Sequence, residues 1–240
     1  DGSYADGRHP DKVTFTPELG LDLCRRDFTV NAMAYSETKG IIDLFGGESD
    51  LENGIIRCVG SPDERFNEDG LRILRALRFA SVLDFELDAD CADSVRRLKG
   101  LLGKISRERI YTETTKLLLG KGARRILSTF PEVISFIFPA LTEEMICRAA
   151  ALVERCPRDA EMRYAVLLSE LDAKEEERMI SSMKPSRAEK NAVLRYSEYE
   201  NYRNYLDGEY EVRRLISETD DGFVLSLTDM QLSRGVITDE

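Results

Sequence analysis

The residues best suited to chemistry in this chain lie close together, between residues 65 and 79. Asp69 and Arg72 stand three positions apart, so on a helix their side chains are neighbours. An ionised aspartate only accepts hydrogen bonds, and a guanidinium only donates them. Side by side they complement an amino group next to a ring-nitrogen acceptor, which cytosine and adenine present. Uracil and guanine place a carbonyl there instead, so the pair predicts selection of C and A without a nucleic-acid template.

Arginine recurs at every third position of the same stretch, at Arg72, Arg75 and Arg78. A solvated helix face normally mixes Lys, Glu and Gln, whereas a row of arginines favours fixed anionic or planar partners. We expect Arg75 and Arg78 to contact phosphate or to brace the pocket. In the alternative interpretation, carboxylates of the protein itself pair with the whole arginine stripe.

The element that must position these side chains is predicted to be one helix over residues 65–79. Asn67 is a natural N-cap, and Glu68 and Asp69 would lie in the first turn, where the helix dipole favours carboxylates. Stabilising the helix start is therefore the simpler role for both acids. The two remaining rows are apolar, which predicts a largely buried helix: Leu71, Leu74 and Leu77 in one, and Ile73, Ala76 and Phe79 in the other.

Two further segments precede this helix, RRDFTVNAMA at residues 25–34 and DLFGGESDLENGIIRCVG at residues 43–60. Together with ERFNEDGLRILRALRF at residues 64–79, they resemble the motifs of the class II tRNA nucleotidyltransferases in order and spacing. That family comprises the CCA-adding enzymes and bacterial poly(A) polymerases. The resemblance is strong over roughly residues 1–125 and faint afterwards.

The resemblance implies an enzyme that adds C and A to tRNA 3′ ends from CTP and ATP by Mg²⁺-assisted phosphoryl transfer. It places Arg26, Asp27 and Asn31 near the incoming nucleotide, with Asp27 and Asn31 suited to the ribose hydroxyls. Without the resemblance, Arg25, Arg26 and Asp27 would be taken for an exposed charge cluster. The metal-binding carboxylates are expected upstream of Asp1, so no metal ligand is assigned here, and this chain alone is expected to be inactive.

A second helix is predicted over residues 105–119, and it resembles the family's E-R-I-x-x-E element. It could pair with the arginine stripe and hold those side chains in place. An ordinary salt bridge between two helices would look almost the same. We therefore assign a supporting role to Glu68, Glu108, Arg109 and Glu113.

The chain has a net charge of −11, but the charge is uneven. Residues 96–125 hold ten Lys and Arg against two Glu, a local charge of +8, and the rest carries −19. Such a basic island predicts a phosphate-binding surface for RNA, unless it only solvates helices. The predicted RNA-binding residues are Arg96, Arg97, Lys99, Lys104, Arg107, Lys116, Lys121, Arg124 and Arg125.

The predicted fold class is α+β and predominantly α-helical. A partial nucleotidyltransferase head of the polymerase β type (residues 1–60) is followed by a helical neck (61–125) and a helical body (126–240). Strands are expected at 13–16, 33–36, 40–43 and 55–59, with the last two joined by a glycine-rich connection. The body should consist of short helices broken at prolines. The chain is expected to be truncated at both ends.

Composition excludes several classes of protein. No apolar run approaches the length of a membrane span, and five scattered cysteines without a C-x-x-C pair favour reduced thiols in the cytoplasm over a zinc site. No obligate protein partner is evident. A poly(A) polymerase, a partial CC- or A-adding enzyme, a non-catalytic RNA- or nucleotide-binding module and a plain helical interaction domain stay open as alternatives.

Overall fold

The computed structural model describes residues 18–200 and 208–237. The chain divides into two compact units, residues 1–122 and 123–240. The predicted strand at 13–16 lies outside the described residues.

The first unit combines four short strands with six helices in its described part. Strand β1 spans Met33–Ser36, β2 Gly40–Asp43, β3 Ile55–Ile56 and β4 Glu86–Leu87, with 3₁₀ turns at Thr29–Asn31 and Lys99–Lys104. The helices are α1 (Leu19–Cys24), α2 (Gly47–Asn53), α3 (Pro62–Glu68), α4 (Leu71–Leu83), α5 (Ala89–Leu98) and α6 (Arg107–Leu118).

The strands form two separate ladders. β1 pairs with β2 antiparallel, from Met33 opposite Asp43 to Ser36 opposite Gly40, while β3 pairs with β4 in parallel. The connection between β2 and β3 was predicted to be a glycine-rich loop and turn. That prediction is wrong in one respect, because the connection contains helix α2. Gly46 and Gly54 flank that helix with left-handed backbone angles, φ 78° and 67°, which glycine adopts without steric cost.

The predicted helix over residues 65–79 is two helices, because Asp69 interrupts it with an extended backbone (φ −146°, ψ 106°). Asn67 is not an N-cap: it lies in α3, and its side chain donates to the Asp63 carbonyl oxygen at 2.8 Å. The two apolar rows are correctly predicted, since α4 packs mainly against α6. Their buried members are Leu71, Ile73, Leu74, Ala76 and Leu77.

The second unit is helical throughout its described part. Its helices are α7 (Ala123–Thr129), α8 (Pro131–Ile137), α9 (Glu143–Arg155), α10 (Ala160–Leu168), α11 (Ala173–Ser182), α12 (Arg187–Tyr199), α13 (Glu209–Glu218) and α14 (Asp221–Arg234). The prolines lie at the breaks, as predicted: Pro131 starts α8, and Pro139, Pro157 and Pro185 stand between helices.

A row of tyrosines on α12 is a packing face where the structure describes it. The rings of Tyr196 and Tyr199 lie 5.1 and 5.7 Å from the ring of Phe223 on α14. Tyr202 and Tyr205, which continue the row, lie outside the described residues. No helix in the described ranges is both long enough and apolar enough to cross a membrane.

Candidate nucleotide-binding site

Asp69 lies at the junction of α3 and α4 and its carboxylate holds the start of α4. Oδ1 accepts from the backbone N–H of Leu71 at 3.0 Å, and Oδ2 accepts from the guanidinium of Arg109 on α6 at 3.1 Å. The side chain is about a quarter exposed, at 27%. A carboxylate has about four acceptor positions, so Asp69 can accept further hydrogen bonds from a ligand.

Arg72 lies in the first turn of α4 and is held by α3 and by the end of α1. Its guanidinium donates to the Glu68 carboxylate at 2.5 Å, to the Arg65 carbonyl at 3.2 Å and to the Arg25 carbonyl at 3.3 Å. These three bonds leave two of the five guanidinium N–H groups. Asp69 and Arg72 are thus each fixed by different partners.

Asp27 joins the segment 25–34 to α4. Its carboxylate accepts from Arg75 Nε at 2.5 Å and from Asn31 Nδ2 at 2.8 Å, and the residue is only 7% exposed. Burial alone would raise the pKa of Asp27, but the bonds from Arg75 and Asn31 outweigh it and hold this pKa below its usual value. Asp27 is therefore a buried anion that orients Asn31.

Arg78 turns toward α6. Its Nε lies 2.9 Å from the buried carboxylate of Glu113, and its guanidinium carbon stacks 3.9 Å from the centre of the Phe79 ring. Desolvation lowers the pKa of Arg78. Each arginine of the stripe thus pairs with a carboxylate of this chain: Arg72 with Glu68, Arg75 with Asp27, and Arg78 with Glu113.

The remaining predicted residues are spread over the surface of the first unit. Arg26 is half exposed and pairs with Asp22 at 3.3 Å. Glu108 is exposed in the first turn of α6. Of the predicted supporting residues on α6, Arg109 contacts Asp69 and Glu113 contacts Arg78.

A partly buried polar network that sequence reasoning missed holds the turn that carries Asn31. Thr29 Oγ1 donates to the Asp50 carboxylate at 2.6 Å, and Arg57 lies between Asp50, at 3.2 Å, and Asp88, at 2.6 Å. Asp50 is 7% exposed. Its position 21 residues from Thr29 carries no local sequence signal, so only the fold reveals the contact.

The basic island is partly neutralised by pairing. Arg97 binds Asp63 with two bonds, at 2.7 and 2.9 Å, which together with Ser94 lower the pKa of Asp63. Arg124 pairs with Glu154 at 2.7 Å and Lys116 lies 3.6 Å from Glu113. The side chains of Lys104 and Lys121 are exposed, whereas Arg96, Lys99, Arg107 and Arg125 are half-buried.

The described residues offer no fit for a metal ion. Across residues 18–200 and 208–237, no three His, Cys, Asp or Glu side chains come together in a way that could hold one. All five cysteines are free thiols. The side chains at the junction and in residues 25–34 offer hydrogen-bond donors and acceptors of the kind that a base and its sugar can use.

Two family comparisons match parts of the chain. Residues 1–57 match the family described as "Poly A polymerase head domain", and residues 84–145 match "Probable RNA and SrmB- binding site of polymerase A". The CCA-adding enzyme of Ligilactobacillus salivarius is 44% identical over 154 residues, which are 64% of this chain and 38% of the relative. In both matched parts the chain resembles the tRNA nucleotidyltransferase and poly(A) polymerase family.

Other members of the family support the same assignment. The CCA-adding enzyme of Streptococcus gordonii is 43% identical over 192 residues, which are 77% of this chain and 47% of that protein. The structure of a Bacillus stearothermophilus CCA-adding enzyme in complex with CTP superposes with a TM-score of 0.76 at 31% identity, over 92% of this chain and 56% of that one. The predicted class, an α+β fold with a polymerase-type head followed by helices, is confirmed.

The match to family members is partial in length. This chain spans between about a third and a half of the length of the curated relatives described above. A tRNA nucleotidyltransferase complexed with a primer tRNA and an incoming ATP analog has a TM-score of 0.68 at 27% identity, over 93% of this chain and 72% of that one.

Proposed function

We propose that this chain carries the nucleotide-selecting part of an enzyme that adds C and A residues to tRNA 3′ ends from CTP and ATP. The relatives support this proposal, since several are CCA-adding enzymes and solved neighbours hold CTP or tRNA. The observation that carries it is the α3–α4 junction, where Asp69 and Arg72 are both fixed by protein contacts and both keep unused hydrogen-bonding capacity.

Side chains that select a base in place of a nucleic-acid template must be held in fixed positions. The Arg109 bond holds Asp69, and the bonds to Glu68 and to two backbone carbonyls hold Arg72. Preorganised donors and acceptors cost little reorganisation when a ligand arrives. Carboxylates of the chain pair with the arginine stripe, as the rival interpretation of a plain helical interaction domain also expects. In our proposal these pairs hold the nucleotide-binding side chains in position. Arg75 and Arg78 brace the pocket through Asp27 and Glu113.

We propose that the sugar and phosphates of the nucleotide lie against residues 25–34. Asn31 is half-buried and has its amide nitrogen fixed by Asp27 at 2.8 Å, so its orientation suits a ribose hydroxyl. Arg26 is half exposed and suits phosphate or sugar. Asp27 then acts on the sugar through Asn31, because its carboxylate is buried and already accepts from Arg75, Asn31 and the backbone N–H of Phe28.

The family uses a divalent metal ion, and we propose that it is Mg²⁺. A cytoplasmic location is proposed from the five free thiols. Poly(A) polymerase or partial CC- or A-adding activity would use the same junction. The length of the product on a tRNA that lacks its 3′ end separates these activities.

The Asp69→Ala variant tests the template directly, in a chimera in which this chain replaces the matching segment of the Bacillus stearothermophilus enzyme. Losing the acceptor that repels a carbonyl should reduce discrimination against UTP and GTP and also reduce use of CTP and ATP. A bidentate side-chain reading of a base is worth about 1–3 kcal/mol, so selectivity should fall roughly tenfold to a hundredfold. kcat/KM for all four nucleotides measures it.

Glu64→Ala is the matched control, because Glu64 is an exposed carboxylate on the neighbouring helix α3. It should leave selectivity unchanged. If folded Asp69→Ala keeps its choice among the four nucleotides and only melts earlier, Asp69 is a helix-capping residue alone. The template proposal is then wrong.

We also propose that the exposed lysines of the basic island contact RNA, and residues 84–145 match a family described by RNA binding. Lys104→Ala with Lys121→Ala should weaken binding of every tRNA and flatten log K against log[salt] by about one unit per lost phosphate contact. Lys39→Ala is the control, being an exposed lysine outside the island. Binding is measured by filter-binding titration. If the tRNA affinity and its salt dependence are unchanged in the double variant, the basic island is only a solvated surface.

A further inference from the structure

A cleft of about 440 Å³ lies in the second unit, where α11 turns into α12. It is lined by Ser181, Pro185, Ser186, Arg187, Lys190 and Asn191. These side chains offer two cations, two hydroxyls and an amide, without a carboxylate among them. Such a set favours an anion with several acceptor oxygens.

The composition of the cleft contrasts with that of its surroundings. Residues 123–240 contain 16 Lys and Arg against 23 Asp and Glu, a net charge of −7. Arg187 and Lys190 make the lining itself positively charged within this acidic unit, and such a lining attracts anions. Two acids stand beside the lining: Glu189 accepts from the backbone N–H of Ser186 at 2.7 Å, and Glu177 pairs with the Lys190 ammonium at 3.1 Å. The Lys190 ammonium keeps its other two N–H groups for a ligand.

The donors of the cleft are side chains rather than the helix end. Ser186 caps α12 through a capping box in which its backbone N–H donates to Glu189 at 2.7 Å. Arg187, in contrast, is exposed on the first turn of α12, and the described residues give its guanidinium no ion pair. An arginine fork that is free to bind two oxygens is the usual partner of a phosphate group.

We propose that this cleft binds a phosphate group, with Arg187 and Lys190 neutralising its charge and Asn191 and Ser181 donating to its oxygens. The phosphate comes from an RNA backbone or from a free nucleotide, since both present the same oxygens. This site lies outside the nucleotide site of the first unit, and it stands whether or not the proposed function holds.

The test compares three single variants of the full chain that each make the net charge more negative by one unit. Arg187→Ala and Asn191→Asp alter the cleft, whereas Lys174→Ala removes an exposed cation at the start of α11, outside the lining. Binding is measured with a labelled tRNA transcript over a salt series, and with inorganic phosphate and ATP by calorimetry. Melting curves verify that all three variants are folded.

If an RNA backbone occupies the cleft, both cleft variants weaken tRNA binding about tenfold and reduce the salt slope by about one unit, while Lys174→Ala does neither. If a free nucleotide occupies it, tRNA binding is unchanged and the cleft variants lose binding of phosphate or ATP that Lys174→Ala keeps. Equal effects of all three variants, or no effect of any, would overturn the proposal.

The outcome is separable from that of the nucleotide-selecting site. Asp69→Ala changes the choice of nucleotide, and the cleft variants change phosphate affinity with that choice preserved. A cleft that fails the test leaves the α3–α4 junction untouched, and the reverse also holds.

Discussion

At the scale of single residues, Asp27 shows how a carboxylate can be buried and remain charged. Its carboxylate is 7% exposed and accepts from Arg75, from Asn31 and from the backbone N–H of Phe28. A buried anion with all its bonds in place is stable, but removing one partner leaves an uncompensated charge. Arg75 therefore acts as a positioning residue for Asn31.

Arg75→Ala should lower the free energy of unfolding by about 2–3 kcal/mol, below the ~3–5 kcal/mol of a fully buried pair because Arg75 is one-third exposed. Urea denaturation measures the loss. In an Asp27→Asn background the same substitution should cost much less, because no charge is then stranded. Strictly additive costs would mean that the two side chains act independently.

At the scale of elements, the α3–α4 junction depends on a close approach between backbones. A methyl group on Gly70 would lie 2.9 Å from Leu101 Cβ and 3.1 Å from the Leu101 carbonyl oxygen. Gly70 has ordinary helical angles, so the requirement for glycine is one of space and not of conformation. The 3₁₀ turn at Lys99–Lys104 thus packs directly onto the start of the helix that carries Arg72.

Gly70→Ala should destabilise the first unit by about 1–3 kcal/mol because Leu101 must move. A shift of the α4 start would also displace Arg72 and lower kcat/KM for CTP and ATP in the chimeric enzyme. Gly100→Ala, in the same 3₁₀ turn, meets no atom within 4 Å and should stay within about 0.5 kcal/mol of the parent. Similar melting temperatures for both variants would contradict the steric argument.

At the scale of the whole molecule, the second unit has a buried acid that makes its stability depend on pH. Glu176 on α11 is 5% exposed and accepts a hydrogen bond from Ser197 on α12. Burial raises the pKa of Glu176 to about 7, and nearby Glu200 adds to the rise. The folded chain therefore keeps a proton that the unfolded chain loses near pH 4.5.

Between about pH 4.5 and 7 the folded state binds more protons than the unfolded state, so stability falls as pH rises. The contribution of Glu176 is complete below pH 4.5 and is lost as pH passes through about 7. Glu176→Gln should flatten this part of the pH profile of the second unit's melting temperature. Glu177→Gln, an exposed neighbour, is the control. A profile that keeps its slope in Glu176→Gln would locate the titration elsewhere.

The sequence by itself determined the family, the fold class and the apolar rows of α4. Motifs and periodicity are local, and they are legible without coordinates. The strands at 33–36 and 40–43 were predicted at their observed bounds, whereas the strand expected at 55–59 ends at Ile56. The pairing of the first two strands with each other was not predicted.

Only the tertiary structure decided how the site residues are paired. Asp69 accepts from Arg109 forty residues away, Arg75 reaches Asp27 across forty-eight, and Asp50 meets Thr29 across twenty-one. It also decided that Asp69 breaks the helix, since the Leu71 N–H and the Leu101 backbone together fix that junction. Charge and spacing specify which residues can pair, but burial and chain topology select the partner.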